Sequence, residues 1–171
     1  MPPPEFKDVA VRDPSSPGRI ESRPLYVRVL RFVLAAVLLA TAIGKLLDNR
    51  GFAEVVATYR VLPHWALLPS ALALSLTELG LGIWLVWGVR ISLAALLATA
   101  LHVVYFGWSS VALLRGLNIP NCGCFGVFWA HPLSLVTIAE DAGLALLAYV
   151  LFRGARRTEV TSPRERVRLR S

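Results

Sequence analysis

ISLAALLATALHVVYFGWSSVALL, residues 91–114, carries no Asp, Glu, Lys or Arg from end to end. Its apolar side chains form a continuous run instead of a stripe, and the run exceeds the roughly 20 residues a helix needs to cross about 30 Å of hydrocarbon. Three more such runs accompany it: Leu25 to Leu47, Trp65 to Trp87, and Leu133 to Phe152. The chain is 56% hydrophobic with a mean hydropathy of +0.59, too apolar for a water-soluble domain of 171 residues. The expected fold is all-α, a bundle of four transmembrane helices. Pro63 and Pro69 flank the start of the second span, where a first helical turn tolerates proline best.

Arginine and lysine predict the orientation. Six basic residues lie up to Arg31, seven from Arg153 onward, and Arg90 sits between the second and third spans; the other two connections share Lys45, Arg50, Arg60 and Arg115. Fourteen against four predicts a multi-pass protein of the cytoplasmic membrane with both termini and Arg90 in the cytoplasm. Residues 1–24 hold six of the eleven prolines and are read as a disordered tail, 25–152 as the membrane domain, and 153–171 as a basic cytoplasmic tail. Most of the net charge of +7 and the pI near 10.2 comes from these ends. Topology and anionic lipid at the inner leaflet account for them, so membrane lipid is an expected partner and nucleic acid is not. The first run, followed by Lys45-Leu-Leu-Asp48-Asn49, reads as an uncleaved span and not as a signal peptide.

Between the first two spans, GFAEVVATYRVL (51–62) places Phe52, Val55, Val56 and Tyr59 at helical spacing and turns Glu54 and Arg60 elsewhere. This spacing predicts a short amphipathic helix lying in the interface, the alternative being a plain loop anchored by aromatics. Pro63, His64 and Trp65 then lead into the second span with the indole at headgroup depth.

The only two cysteines, Cys122 and Cys124, bracket one glycine in NCGCFG (121–126), at the outer end of the third span on the expected orientation. Gly123 frees the backbone to bring both Cβ atoms within bridging distance, and a ring closed across one residue is strained and hence readily exchanged. The outer side is an oxidising compartment in bacteria, so the pair is read as a redox pair. Two free packing thiols, half of a metal site and a structural bridge are the alternatives. A closed zinc site needs about four ligands, with only His131 nearby, and a bridge across one residue stabilises little. No metal is expected.

Ionisable residues within the spans are costly in hydrocarbon and are expected to face the bundle interior. They are Glu78 in the second span, His102 in the third, and Glu140 and Asp141 in the fourth. At about 1.5 Å per residue, His102 and Glu140 fall near the midplane with Glu78 somewhat closer to the cytoplasm, so the three are expected in one polar cluster. Lys45, near the outer end of the first span, is expected to reach toward a carboxylate, although the same counting leaves it far from Glu78. Helix-to-helix hydrogen bonding without chemistry is the alternative role, and Gly80, Gly82, Ala139 and Gly143 fit close packing equally well.

Gly44-Lys45, GFAEVVATYRVLP, Thr77-Glu78-Leu79-Gly80-Leu81-Gly82 and NCGCFG together resemble the methylamine utilisation MauE family, a branch of the DoxX-like four-helix membrane proteins. The resemblance covers about residues 25 to 152, and the cysteine motif with its Phe-Gly is its most specific part. It implies a role in processing, transport or maturation of the methylamine dehydrogenase β-subunit, a disulfide-rich periplasmic protein, or of another secreted client. It also implies a thioredoxin-like extracytoplasmic partner, with Cys122 and Cys124 as the redox pair. By analogy alone, the architecture is similar to quinone-linked disulfide generators of the DsbB and vitamin K epoxide reductase type. Those relay electrons through two cysteine pairs, whereas one pair here would exchange directly with both a partner protein and a membrane carrier. A membrane quinone is therefore the one cofactor considered. The expected function is thiol–disulfide exchange in protein maturation. The alternatives are a non-catalytic scaffold or chaperone, and a quinone-binding or small-solute transport subunit built around Glu78, His102 and Glu140.

Overall fold

The computed structural model describes residues 24–168, so the expected amino-terminal tail lies outside the described residues. Five helices follow one another: α1 Leu25–Leu47, α2 Asn49–Thr58, α3 His64–Trp87, α4 Ile91–Leu114 and α5 Leu135–Arg168. Among the described residues α1, α3, α4 and the first 25 residues of α5 are long and apolar enough to cross a membrane. The fold is the expected four-span helical bundle, with α2 as the amphipathic helix between the first two spans.

Helix α1 packs on α3 and α5, and α4 packs on α5. The main core joins Leu34, Ala35 and Leu38 of α1 with Leu81 and Leu85 of α3, Ala94, Ala95 and Ala98 of α4, and Ala148 and Leu151 of α5. Small residues let these backbones approach, which is how spans associate when lipid is as apolar as their side chains. Leu93, Leu96, Leu97 and Val103 of α4 are exposed on the outside of the bundle, as a lipid-facing surface requires.

Helix α5 outruns its expected end at Phe152 and continues to Arg168. Packing explains the extension as far as Glu159. Ala155 is buried, Gly154 lies against Tyr26 and Val27 of α1, and Glu159 accepts hydrogen bonds from the backbone N–H and hydroxyl of Ser92 at the start of α4. These contacts carry the helix beyond the hydrocarbon-length run that composition marks.

Helix α2 sets the geometry of the opposite end. Asp48 caps it by accepting from Gly51 N at 2.8 Å, and Phe52 and Ala53 pack on Leu67 and Ala71 in the first turns of α3 while Glu54 stays exposed. Asn49 Nδ2 donates to Ser75 Oγ at 3.2 Å. The end of α1 is thus level with Ser75, and the first three turns of α3 stand beyond it with α2 alongside.

Candidate functional site

The connection from α4 to α5 holds the cysteines, and its own hydrogen bonds shape it. Cys122 N donates to His131 O at 2.9 Å and Leu133 N to Ile119 O at 3.0 Å, so residues 119–122 and 131–133 run side by side. Asn121 clamps the turn between them: its Oδ1 accepts from Gly123 N at 2.9 Å and its Nδ2 donates to Gly126 O at 3.1 Å. Gly123 has φ +80° and Gly126 φ +71°, left-handed conformations that favour glycine. A Cβ on Gly126 would lie 2.5 Å from Gly44 O, and one on Gly44 would lie 2.6 Å from Phe125 O. The Phe-Gly of the cysteine motif therefore docks backbone to backbone on Gly44-Lys45 of α1. Tyr59, at the end of α2, donates its hydroxyl to Cys122 O at 2.9 Å and fastens the loop from the other side.

Inside this frame the sulfurs of Cys122 and Cys124 stand 3.0 Å apart as free thiols, and His131 Nδ1 lies 3.0 Å from Cys122 Sγ. The two thiols are unequal. Hydrogen bonding from Cys124 pulls the Cys122 pKa down from 9.0 to about 6 against the opposing effect of burial, with further help from the Cys124 backbone N–H and from His131. Cys124 moves the other way, because it donates to Cys122 and is itself desolvated. At neutral pH the pair is a Cys122 thiolate beside a Cys124 thiol that keeps its proton. Burial and the neighbouring sulfurs also push the Tyr59 phenol upward, so it remains a donor. Such a site can make and break a disulfide with the negative charge resting on one defined sulfur.

Lys45 and Glu78 form an ion pair, Nζ to Oε1 at 2.5 Å, with both side chains buried. Tyr105 donates to the same Glu78 oxygen at 2.7 Å. This corrects the depth count that separates Lys45 from Glu78: α1 stops level with Ser75, so its last turn meets the middle of α3. A second correction concerns α5. Glu140 is exposed, whereas Asp141 is buried and accepts from Ser109 at 3.1 Å, since neighbouring helix positions point about 100° apart. His102 is buried, with Nδ1 2.8 Å from Ala98 O of its own helix and its ring edge-on to Tyr105. The expected cluster of Glu78, His102 and Glu140 is thus replaced by Lys45–Glu78–Tyr105 and Ser109–Asp141.

Between α2, α3, α4 and the cysteine loop lies a cavity of about 360 Å³. Both sulfur residues line it, as do Lys45, Tyr105, Ser109 and Asp141. Cys124 sits toward the polar interior and Cys122 toward His131. His131, weighed from sequence only as a metal ligand, joins the site as a neighbour of Cys122, and Asn121, Tyr59 and Tyr105 complete it without being expected there. Of these three Asn121 carries a local signal, an Asx residue immediately before a Cys-Gly turn.

Fold and site together define a multi-pass helical membrane protein with a thiol pair held at one end of its bundle. The family model for methylamine utilisation protein MauE matches residues 23–154, and the chain belongs to that family. It is 35% identical over 130 residues to methylamine utilization protein MauE of Methylorubrum extorquens, covering 76% of this chain and 70% of that protein. It is 32% identical over 132 residues to the MauE of Paracoccus denitrificans, covering 77% and 71%. The MauE of Methylophilus methylotrophus matches at 38% over 91 residues, 53% of this chain and 48% of that one. No solved structure matches the chain.

Proposed function

We propose that this chain is a thiol–disulfide exchange factor of the cytoplasmic membrane that supplies disulfides to an extracytoplasmic protein through a thioredoxin-like partner. The carrying observation is the Cys122–Cys124 pair at 3.0 Å with His131 against one sulfur. Orientation is inferred from charge. Arg28, Arg31, Arg90, Arg153, Arg156 and Arg157 lie at the end of the bundle away from the cysteine loop, which supports an extracytoplasmic loop under the positive-inside rule. The names of its relatives make methylamine utilisation the first context to test; the methylamine dehydrogenase β-subunit, the client that the family resemblance implies, is the first one to try.

In the exchange, a partner thiolate attacks Cys122 Sγ of the oxidised pair. The Cys122–Cys124 bond breaks, and its electron pair leaves on Cys124, which takes up a proton. The partner's second thiolate then attacks its own sulfur in the mixed disulfide and expels Cys122 as a thiolate. The partner has lost two electrons and the pair has gained them. Stabilising the released Cys122 thiolate favours this direction, because a pair whose reduced form is stabilised is the stronger oxidant.

Acid quenching followed by mass-tagged alkylation of membranes tests the proposal. The pair should be found oxidised, should open under a thioredoxin-like dithiol and should close again when that dithiol is removed. A bridge that stays closed throughout, or thiols that never close, would favour a scaffold.

A further inference from the structure

We propose that the cavity between α3 and α4 binds a membrane quinone, which reoxidises the Cys122–Cys124 pair. The inference rests on the exchange reading above, since it names the oxidant that such a pair needs. A pair that has oxidised a client must lose two electrons before it can act again, and with Cys122 and Cys124 its only cysteines the chain has no second cysteine pair to receive them.

The cavity has the properties such an acceptor requires. Its volume of about 360 Å³ lies in the range of about 300–1,000 Å³ usual for small-molecule sites. Val104, Ala73 and Trp108 line it and are also exposed on the outer face of α3 and α4, so the cavity opens sideways, where a lipid-soluble molecule enters. Cys124 stands on its wall. At one end Lys45, Tyr105, Ser109 and Asp141 bring polar groups to a wall that is otherwise mostly apolar. An ammonium carries three N–H donors, and its pairing with one Glu78 oxygen leaves others for a carbonyl or a developing oxyanion. A phospholipid acyl chain would have no use for that end.

The reaction balances with one proton from water. The Cys122 thiolate and the Cys124 thiol lose two electrons and one proton as the S–S bond forms. The two quinone oxygens gain those electrons, that proton and the one from water, giving a quinol that leaves by the same lateral opening.

The full chain in quinone-free phospholipid nanodiscs, reduced and then given decyl-ubiquinone or a short-chain menaquinone, provides the test. Quinone should restore the disulfide with one quinol produced per bond, and titration should quench fluorescence in a way that Trp108→Phe diminishes. Quenching should persist in the Cys122→Ser, Cys124→Ser double variant, where no turnover is possible. Ala73→Phe and Val104→Trp, both at exposed positions that tolerate bulk, should slow quinone-dependent oxidation by about tenfold or more, the scale at which an overfilled apolar pocket discriminates. The lipid-facing change Leu97→Phe should not. If diamide closes the pair and dithiothreitol opens it while neither quinone oxidises it, the quinone proposal fails and the exchange reading stands. A pair inert to diamide as well removes both.

Discussion

Removing the carboxylate of Glu78 should destabilise the bundle out of proportion to the atoms lost. Lys45 and Glu78 are each 2% exposed, and Lys45 Nζ lies 2.5 Å from Glu78 Oε1. Glu78→Leu leaves the ammonium buried without its counter-charge and takes the acceptor from Tyr105. Breaking a buried pair from one side costs about 3–5 kcal/mol, and a loss at the lower end of that range is expected here because Lys45 sits in the last turn of its span. Replacing both partners, Lys45→Met with Glu78→Leu, should return stability to within about 1 kcal/mol of the parent, because apolar residues of similar volume substitute well for a buried pair. Unfolding in mixed micelles with increasing denaturing detergent, followed by tryptophan fluorescence for the parent, both single variants and the double, measures the cycle. A coupling of about 2 kcal/mol or more is expected. Additive single effects, each no larger than that of Leu97→Ala on the lipid face, would refute the idea that this pair ties α1 to the middle of α3.

Alkylation of Cys122 should follow its own ionisation. The thiolate is the reactive form and its fraction rises with pH, so with a pKa of about 6 the rate should climb through that value and level off above about pH 7. In His131→Ala the midpoint should move upward, while Cys124 stays unreactive over the same range; a parent rate still climbing at pH 9, that of an ordinary thiol, would contradict the assignment. On α5, Asp141→Leu should lower accumulation of folded protein by stranding Ser109, and Glu140→Gln should match the parent in level and client maturation; equal losses from both would overturn the assigned rotation of the helix.

The spans were legible because twenty-odd apolar residues have one common solution in hydrocarbon. Helix α2 was legible because Phe52, Val55, Val56 and Tyr59 keep a helical period beside the polar Glu54. Contacts between elements were not. Depth counting assumes helices that end at one level, and α1 ends level with Ser75, which is how Lys45 meets Glu78. A span that is apolar on every side has no stripe to announce its rotation, so nothing in the α5 sequence chooses Asp141 over Glu140 as the inward residue. His131 reaches Cys122 through the pairing of residues 119–122 with 131–133, a register set by two backbone hydrogen bonds that no local pattern advertises. The cysteine motif was legible as chemistry, and its inequality was not, because the asymmetry comes first from the hydrogen bond between the two sulfurs and then from burial and His131, which only the folded loop sets.

A trapped intermediate tests the central claim most directly. With Cys124→Ser in the full chain, expressed with the intact maturation machinery, Cys122 still attacks the oxidised partner in the reverse of the exchange, but Cys124 is no longer there to displace that partner, so only the partner's own second thiol can release the mixed disulfide. Membranes quenched in acid, alkylated and run on a non-reducing gel should show Cys122 joined to an extracytoplasmic thioredoxin-like protein in a higher-mass band that collapses with reductant, while Cys122→Ser shows none. Absence of that band from Cys124→Ser, together with full client maturation in both serine variants, would contradict the exchange mechanism and leave the pair a structural feature of the loop.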